Sequence, residues 1–317
     1  MRSLRRDERG EVLVFTATIF LTLLLFAAMV TDLGYVLTAR NQLQSAVDCA
    51  ALAGAAGLMN GSDRATAMAI RYASKNDCIQ QPVIISNENV TFPASNRVQV
   101  SASRTLQLFF LPLIGLNQRV IRASATAELG YVTSTNGLAP WAVPKEAWQP
   151  GDRVVIKAGQ LGEIGTNPGF YYPVDFPAVN RGNPISGASE YEENIRAGCD
   201  ETVEIGDILQ VEPGEMQGPT RQGVDYLIDA DHCAYWDGER VANSLFTGYS
   251  SPRVVKVPLY DPSKPPDSGR NTIEVIGFAA FFVEGMVGKT VIGVFIEVTS
   301  PGASGHGYSL LRCVHLV

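Results

Sequence analysis

The chain has 317 residues, with 25 Lys plus Arg against 32 Asp plus Glu and a formal net charge of −7. Its only basic cluster is N-terminal (Arg2, Arg5, Arg6 and Arg9). That argues against nucleic-acid binding, which draws its affinity from counterion release at a clustered positive face. Five cysteines, an odd number, leave at least one thiol over in any disulfide scheme.

Residues 1–11 read as a basic tail, followed by an apolar run of nineteen residues, Val12 to Val30, twelve of which are Leu, Ile, Val or Phe and none charged. At roughly −0.3 to −0.6 kcal/mol each, those twelve favour insertion by about 4 to 7 kcal/mol as an upper figure. As a helix the run spans about 28 Å, close to the hydrocarbon thickness of a bilayer. Thr16, Thr18 and Thr22 are compatible with this, because a helical threonine can bond back to its own backbone. A cleaved signal peptide is the competing reading. It calls for a shorter core with small residues directly after it, and Thr31-Asp32-Leu33-Gly34-Tyr35 supplies no such site. The expectation is a single-pass anchor, 12–30, with the basic tail on the cytoplasmic side and everything after Asp32 outside. Leu106–Leu116 and Val275–Val283 are too short to cross back, and read as core strands or surface patches.

Helical character continues from Thr31 to Met59, with no proline, to a stop at Asn60-Gly61. Unbroken from Val12, this helix is about 72 Å long. Leu43, Val47, Ala50 and Ala51 recur at three- and four-residue steps and, with Gly54, form a face suited to close helix packing. Ser62 reads as the N-cap of a second helix, Asp63–Lys75. The period then changes to two, predicting strands at Val83–Ser86, Val90–Phe92, Val98–Ala102 and Val120–Ala127. Residues 31–130 therefore read as an α+β domain, a long helix on a small antiparallel sheet.

A break at Thr133–Gly137 precedes a β-rich unit, 138–317. Its candidate strands are Arg153–Ala158, Ile208–Val211, Arg253–Leu259, Thr272–Phe282 and Thr290–Val298, with a helical turn at Glu190–Ala197. Outside the cytoplasm a disulfide is allowed, and Cys199 with Cys233 is the pair expected.

Several stretches invite a chemical reading. Asp229, Asp231, His232 and Cys233 form the densest group of metal-type ligands, yet their spacing fits neither a calcium loop nor a four-ligand zinc site. Gly285-Met286-Val287-Gly288-Lys289-Thr290 lacks the first glycine of a phosphate loop, since position 283 is Val, and reads as a β-turn. Ser304 has His306 where a nucleophile elbow needs glycine. No catalytic, cofactor or metal residue is expected.

The chain also resembles the TadG-like group of bacterial tight-adherence (Tad, or Flp) pilus assembly proteins. The resemblance is carried by Glu8-Arg9-Gly10 before the apolar run and Thr31-Asp32-Leu33-Gly34 at its end. Next comes Ala39-Arg40-Asn41-Gln42-Leu43-Gln44-Ser45-Ala46-Val47-Asp48-Cys49-Ala50-Ala51-Leu52-Ala53-Gly54-Ala55. Further on, Tyr72-Ala73-Ser74-Lys75-Asn76, Phe109-Phe110-Leu111-Pro112-Leu113-Ile114-Gly115 and Ala123-Ser124-Ala125-Thr126-Ala127 match in order. The resemblance implies a pilin-like structural component of a pilus assembly machine in the bacterial inner membrane, not an enzyme. Its partners would be the lipid bilayer and other Tad components or further copies of itself. Processed pilins carry a glutamate at the fifth position of the mature chain, where this sequence has Phe15, so the anchor is expected to remain. Longer members end in a von Willebrand A domain with an Asp-x-Ser-x-Ser motif; Asp261-Pro262-Ser263-Lys264-Pro265 lacks its second serine. On this reading Asp32 either pairs with a neighbouring subunit or ends the span as a hydrated charge, and Leu43, Val47, Ala50, Ala51 and Gly54 face like subunits. Two rivals stand beside it. One is an anchored glycan-binding module stacking sugars on Trp141, Trp148, Tyr171, Tyr172 or Trp236. The other is a tethered hydrolase using Ser304 or an acidic pair.

Overall fold

A computed structural model describes residues 8–145, 150–158, 170–212, 214, 216–266, 271–305 and 309–317, with only the backbone described at 8–11, 155, 157, 158 and 170. The chain divides into two compact units, Met1–Glu128 with Leu316–Val317, and Leu129–His315. It has an α+β fold: a long N-terminal helix followed by a β-rich region of mixed sheets.

In the first unit, helix α1 (Glu8–Gly57) runs 50 residues without a break, about 75 Å at 1.5 Å per residue. Its threonines do not interrupt it: the hydroxyls of Thr16, Thr18, Thr22 and Thr31 each donate to the carbonyl four residues back, at 2.8–2.9 Å. The N-terminal part meets the length and hydropathy requirements of a membrane span, and none of that window is buried. From Ala39 onward one face turns inward, with Ala39, Leu43, Ala46, Val47, Ala50 and Ala51 at 0–1 % exposure. Leu58–Asn60 tightens into a 3-10 turn, Gly61 reverses the chain at φ +93°, and helix α2 (Ser62–Ala73) folds back on α1. Gly61 is thus the N-cap, and Ser62, expected in that role, is the first helical residue.

Strands β1 (Val90–Ala94), β2 (Arg97–Gln107) and β3 (Gln118–Thr135) follow as antiparallel neighbours. The β2–β3 hairpin is in unbroken register from Arg97↔Glu128 to Gln107↔Gln118. Val98, Val100, Ala102 and Leu106 alternate inward beneath α1, as the period-two pattern requires. Val83–Ser86 forms no ladder, although Val83 and Ile85 are buried and Ile84 is exposed. Alternating burial there reflects packing of an irregular segment, which sequence cannot distinguish from a strand.

The second unit takes up β3 from Leu129 and continues with β4 (Trp141–Pro144), β5 (Arg153–Ala158), β6 (Phe170–Asp175), α3 (Ala188–Arg196), β7 (Val203–Glu204), β8 (Ile208–Val211) and α4 (Gln217–Ala230). Then come β9 (Tyr235–Trp236), β10 (Val241–Ala242), β11 (Val254–Tyr260), β12 (Thr272–Glu274), β13 (Gly277–Val287), β14 (Thr290–Ile296), β15 (Val298–Thr299), β16 (Ala303–Gly305) and β17 (Leu311–Leu316). Pairings in the order β6-β4-β11-β13-β14-β5 close on themselves, because β5 also pairs with β6. One face of this ring carries Trp141, Val143, Phe281 and Phe295 against Tyr191 and Ile195 of α3 and Val224 and Leu227 of α4. The other carries Tyr172, Val174, Tyr260, Phe278 and Phe282 against Leu209 and Ile273. With both faces covered, the middle of β13 is buried at every position from Phe278 to Val283, which is why it reads as a continuous apolar run. It is a core strand.

Two departures from the expected elements have identifiable causes. The predicted strand Thr272–Phe282 is two strands, because β12 pairs with β8 while β13 pairs with β11, and the intervening Ile276 N–H already bonds Leu259 O. Helix α4 was illegible because it holds Gly218, Pro219 and Gly223. The proline sits in the first turn, where its missing N–H costs nothing. A Cβ at Gly223 would come within 2.6 Å of Ile195, so glycine permits the close approach of α3 and α4.

Candidate functional site

Four regions bear on function: the exposed apolar end of α1, the stripe of small residues further along it, the surroundings of Asp32, and the buried polar groups of the second unit. In the apolar end, Val12, Leu13, Val14, Phe15, Phe20 and Leu23 are each more than 60 % exposed. A helix apolar on all sides requires an apolar environment around it, either lipid or other protein.

The small-residue stripe serves the chain itself. Leu43, Val47, Ala50, Ala51 and Gly54 were expected to face other subunits; each is buried inside the first unit. A Cβ on Gly54 would lie 3.0 Å from Val98 Cγ1 of β2 and 3.3 Å from Ala69 Cβ of α2. At Gly57 the added carbon would stand 2.7 Å from Ala65 Cα. Glycine and alanine here let α2 and the sheet approach the α1 backbone, an internal use of the close-packing property that suggested an oligomer contact. Periodicity identifies a buried face but not what buries it.

Asp32 also departs from both of its expected roles, since it is neither hydrated nor facing a neighbour. It is fully buried, and its carboxylate accepts three backbone N–H bonds: Oδ1 from Phe109 at 2.8 Å, and Oδ2 from Phe110 at 2.9 Å and Leu111 at 2.7 Å. Those donors open the 3-10 turn Leu111–Ile114 at the β2–β3 tip, whose own first N–H groups have no partner within the turn. Tyr35, one turn along α1, packs edge-on against Phe109 at 5.0 Å between ring centroids. The loop is closed by Leu108 N–H donating to Asn117 O at 3.1 Å. Of the two readings left open for Leu106–Leu116, the surface patch describes Phe109 onward. Phe109, Leu113, Ile114 and Leu116 are all more than half exposed, whereas Leu106 is core.

Among the described residues of the second unit, Asp175, Asp207, Glu212, Asp231 and Arg253 are buried. Asp231 accepts from Ser244 Oγ at 2.6 Å, Ser251 Oγ at 2.5 Å and Leu245 N–H at 3.0 Å. Burial alone would raise its pKa; these hydrogen bonds and the nearby Arg253 charge outweigh it and hold the carboxyl below its ordinary value. Arg253 donates to the carbonyls of Asp231, Ala234, Val283 and Glu284, tying the 231–234 turn to β13. Asp207 accepts from Arg181 and Asn180, and those bonds bring its pKa below normal against the opposing effect of burial. Asp175 differs. Burial, and then a hydrogen bond and charge repulsion from Glu212, raise it to about 7, against the opposing bond donated by Ser186 Oγ at 2.6 Å. Glu212 is itself buried, with no partner for its Oε2 among the described residues. Burial beside a second carboxyl thus keeps Asp175 protonated to a higher pH than an exposed aspartate.

The remaining candidates separate on the same grounds. Among the described residues no group of three or more His, Cys, Asp or Glu side chains converges as metal ligands would. Gly285–Val287 end β13 and Thr290 begins β14, joined by the two-residue turn Gly288-Lys289 with Gly288 at φ +61°. Ser304 lies in β16, but His306 lies outside the described residues. The expected disulfide is absent: Cys199 and Cys233 are both free thiols, Cys199 buried with its Sγ donating to Glu201 O at 3.5 Å. Burial raises the Cys199 thiol to about 11, so it is not a ready nucleophile. Trp141, Tyr171 and Tyr172, suggested as sugar-stacking surfaces, are at most 1 % exposed. Trp141 Nε1 donates instead to Tyr191 Oη at 2.9 Å within the core. Trp236 is half-buried, and Trp148 lies outside the described residues.

Residues 10–57 match the family model described as Tad, putative Flp pilus-assembly TadE/G-like. The match covers the apolar segment, Asp32 and the small-residue stripe, and ends at the last residue of α1. No curated protein matches the chain, and no solved structure matches it. Over this N-terminal segment the chain is therefore similar to Tad-type pilus-assembly proteins.

Proposed function

We propose, from the Tad-type segment at 10–57, that this chain is a membrane-anchored structural component of a Tad/Flp-type pilus assembly system and not an enzyme. The observation carrying the reading is the solvent exposure of Val12–Val30 on every side of α1. Inserted in a bilayer, this segment buries its apolar surface without any protein partner. The arginine-rich tail belongs on the cytoplasmic side of the inner membrane and both folded units outside it. Beyond the span, α1 is stiffened by its packing with α2 and the sheet of the first unit. Other Tad components, or further copies of this chain, would meet surfaces outside the small-residue stripe, which is already occupied.

The test is topological and genetic. In spheroplasts, externally added protease should digest the chain to a fragment retaining its N-terminus, and alkaline carbonate should leave the intact protein in the membrane pellet. N-terminal sequencing should find residues ahead of Val12, whereas a mature chain beginning after Asp32 would show a signal peptide. Deletion of the gene should abolish or reduce pili and surface attachment; normal piliation would remove the pilus role.

A further inference from the structure

We propose that the tip of the β2–β3 hairpin is a second membrane contact, entering the headgroup and upper acyl layer of the leaflet from which α1 emerges. This rests on the reading of Val12–Val30 as a bilayer span. The tip, Leu108 to Asn117, has no ionisable residue. It exposes five large apolar side chains: Phe109 at 62 %, Phe110 at 44 %, Leu113 at 79 %, Ile114 at 68 % and Leu116 at 55 %. An apolar patch of this kind in one short loop marks a surface that is covered in use.

The covering agent follows from where the tip is held. Asp32 lies two residues past Val30, about 3 Å further along the helix axis. Its carboxylate grips the three N–H groups of Phe109, Phe110 and Leu111, so the tip is fixed at the level where the apolar span ends. The Tyr35–Phe109 ring contact reinforces that level, and aromatic rings favour the membrane–water boundary. Because the carboxylate satisfies the backbone donors, the loop can leave water without stranding them. Just behind the tip, Arg119 and Arg122 are exposed, with the charge that suits anionic lipid headgroups. A bilayer already surrounds the adjoining helix turn, and the patch continues that apolar surface.

The experiment uses full-length protein in liposomes of phosphatidylcholine and phosphatidylglycerol, in a Cys49→Ser background that removes the one exposed thiol. Three positions are converted singly to cysteine and labelled with a polarity-sensitive fluorophore: Leu113→Cys at the tip, Leu21→Cys in the middle of the span, and Ser95→Cys in the β1–β2 turn. Ser95 lies at the far end of β2, about 33 Å from the tip. Spin-labelled lipids carrying the quencher high on the acyl chain should quench the tip label several-fold more than the Ser95 control. Quenchers deep in the chain should act most on the label at residue 21. If the label at 113 behaves like that at 95 while the one at 21 is quenched, the anchor stands and the second contact is refuted. A tip label unquenched in liposomes but shielded from soluble reagents in piliated cells would mean that protein covers the tip, which also overturns the proposal. Loss of quenching at residue 21 would bring down the anchor and the tip contact together. Leu113→Glu with Ile114→Glu, both at exposed positions, should lower quenching of a label on a fourth variant, Leu116→Cys, several-fold while leaving that at residue 21 unchanged.

Discussion

The buried carboxyl pair of the second unit makes a quantitative demand on stability. Asp175 has a folded-state pKa of about 7 against an ordinary 3.8, so between those values the native state holds a proton that the unfolded chain releases. Stability contributed by this group is therefore lost as pH rises from about 4 to 7, the reverse of the usual salt-bridged carboxylate. At about 1.36 kcal/mol per pH unit the shift amounts to a ceiling of roughly 4 kcal/mol. Screening by solvent reduces this to about 2 kcal/mol. Asp175→Asn removes the titration and keeps the geometry, since an amide can donate to Glu212 and still accept from Ser186. The variant should match the wild type near pH 4.5 and exceed it by about 2 kcal/mol at pH 8, roughly 4 to 8 °C in melting temperature for a unit of this size. Tryptophan fluorescence suits the measurement, because Trp141, Trp148 and Trp236 all fall within Leu129–His315. Parallel curves of melting temperature against pH for the two proteins would show that Asp175 is ionised in the folded state and would refute its raised pKa.

Gly57→Ala should destabilise the first unit by about 1–3 kcal/mol, because the added carbon meets the α2 backbone and overpacking there outweighs the roughly 1 kcal/mol gain in helix propensity. Circular dichroism melts decide the sign. Arg253→Met should lower the stability of the second unit by about 3 kcal/mol, since it leaves Asp231 buried without its cation; the fluorescence melt reads this, and an unchanged midpoint would contradict it. Leu21→Arg places a charge in the middle of the apolar run at a cost of about 2.5–3.5 kcal/mol in insertion, and carbonate extraction should release a larger fraction of the variant than of the wild type.

The course of the chain through α1 was legible in sequence because it depends on local properties. Uninterrupted apolarity, the absence of proline and the stop at Asn60-Gly61 each act within a few residues. The strand character of β2 and β3 showed in the same way, through alternation, over Val98–Ala102 and Val120–Ala127, while their pairing as one hairpin came from the structure. What buries a face was not legible. The Ala/Gly stripe serves an internal crossing with α2 or an external one with another subunit equally well in one dimension, and only the fold-back at Gly61 decides between them. Asp32 finds its donors 77 to 79 residues away, and Asp175 meets Glu212 across the pairing of β6 with β8. Helix α4 depends on Gly223 facing Ile195 from another helix. Hydropathy and periodicity are carried by the chain itself, whereas the partner of a buried group is set by which distant segments the closed structure brings together.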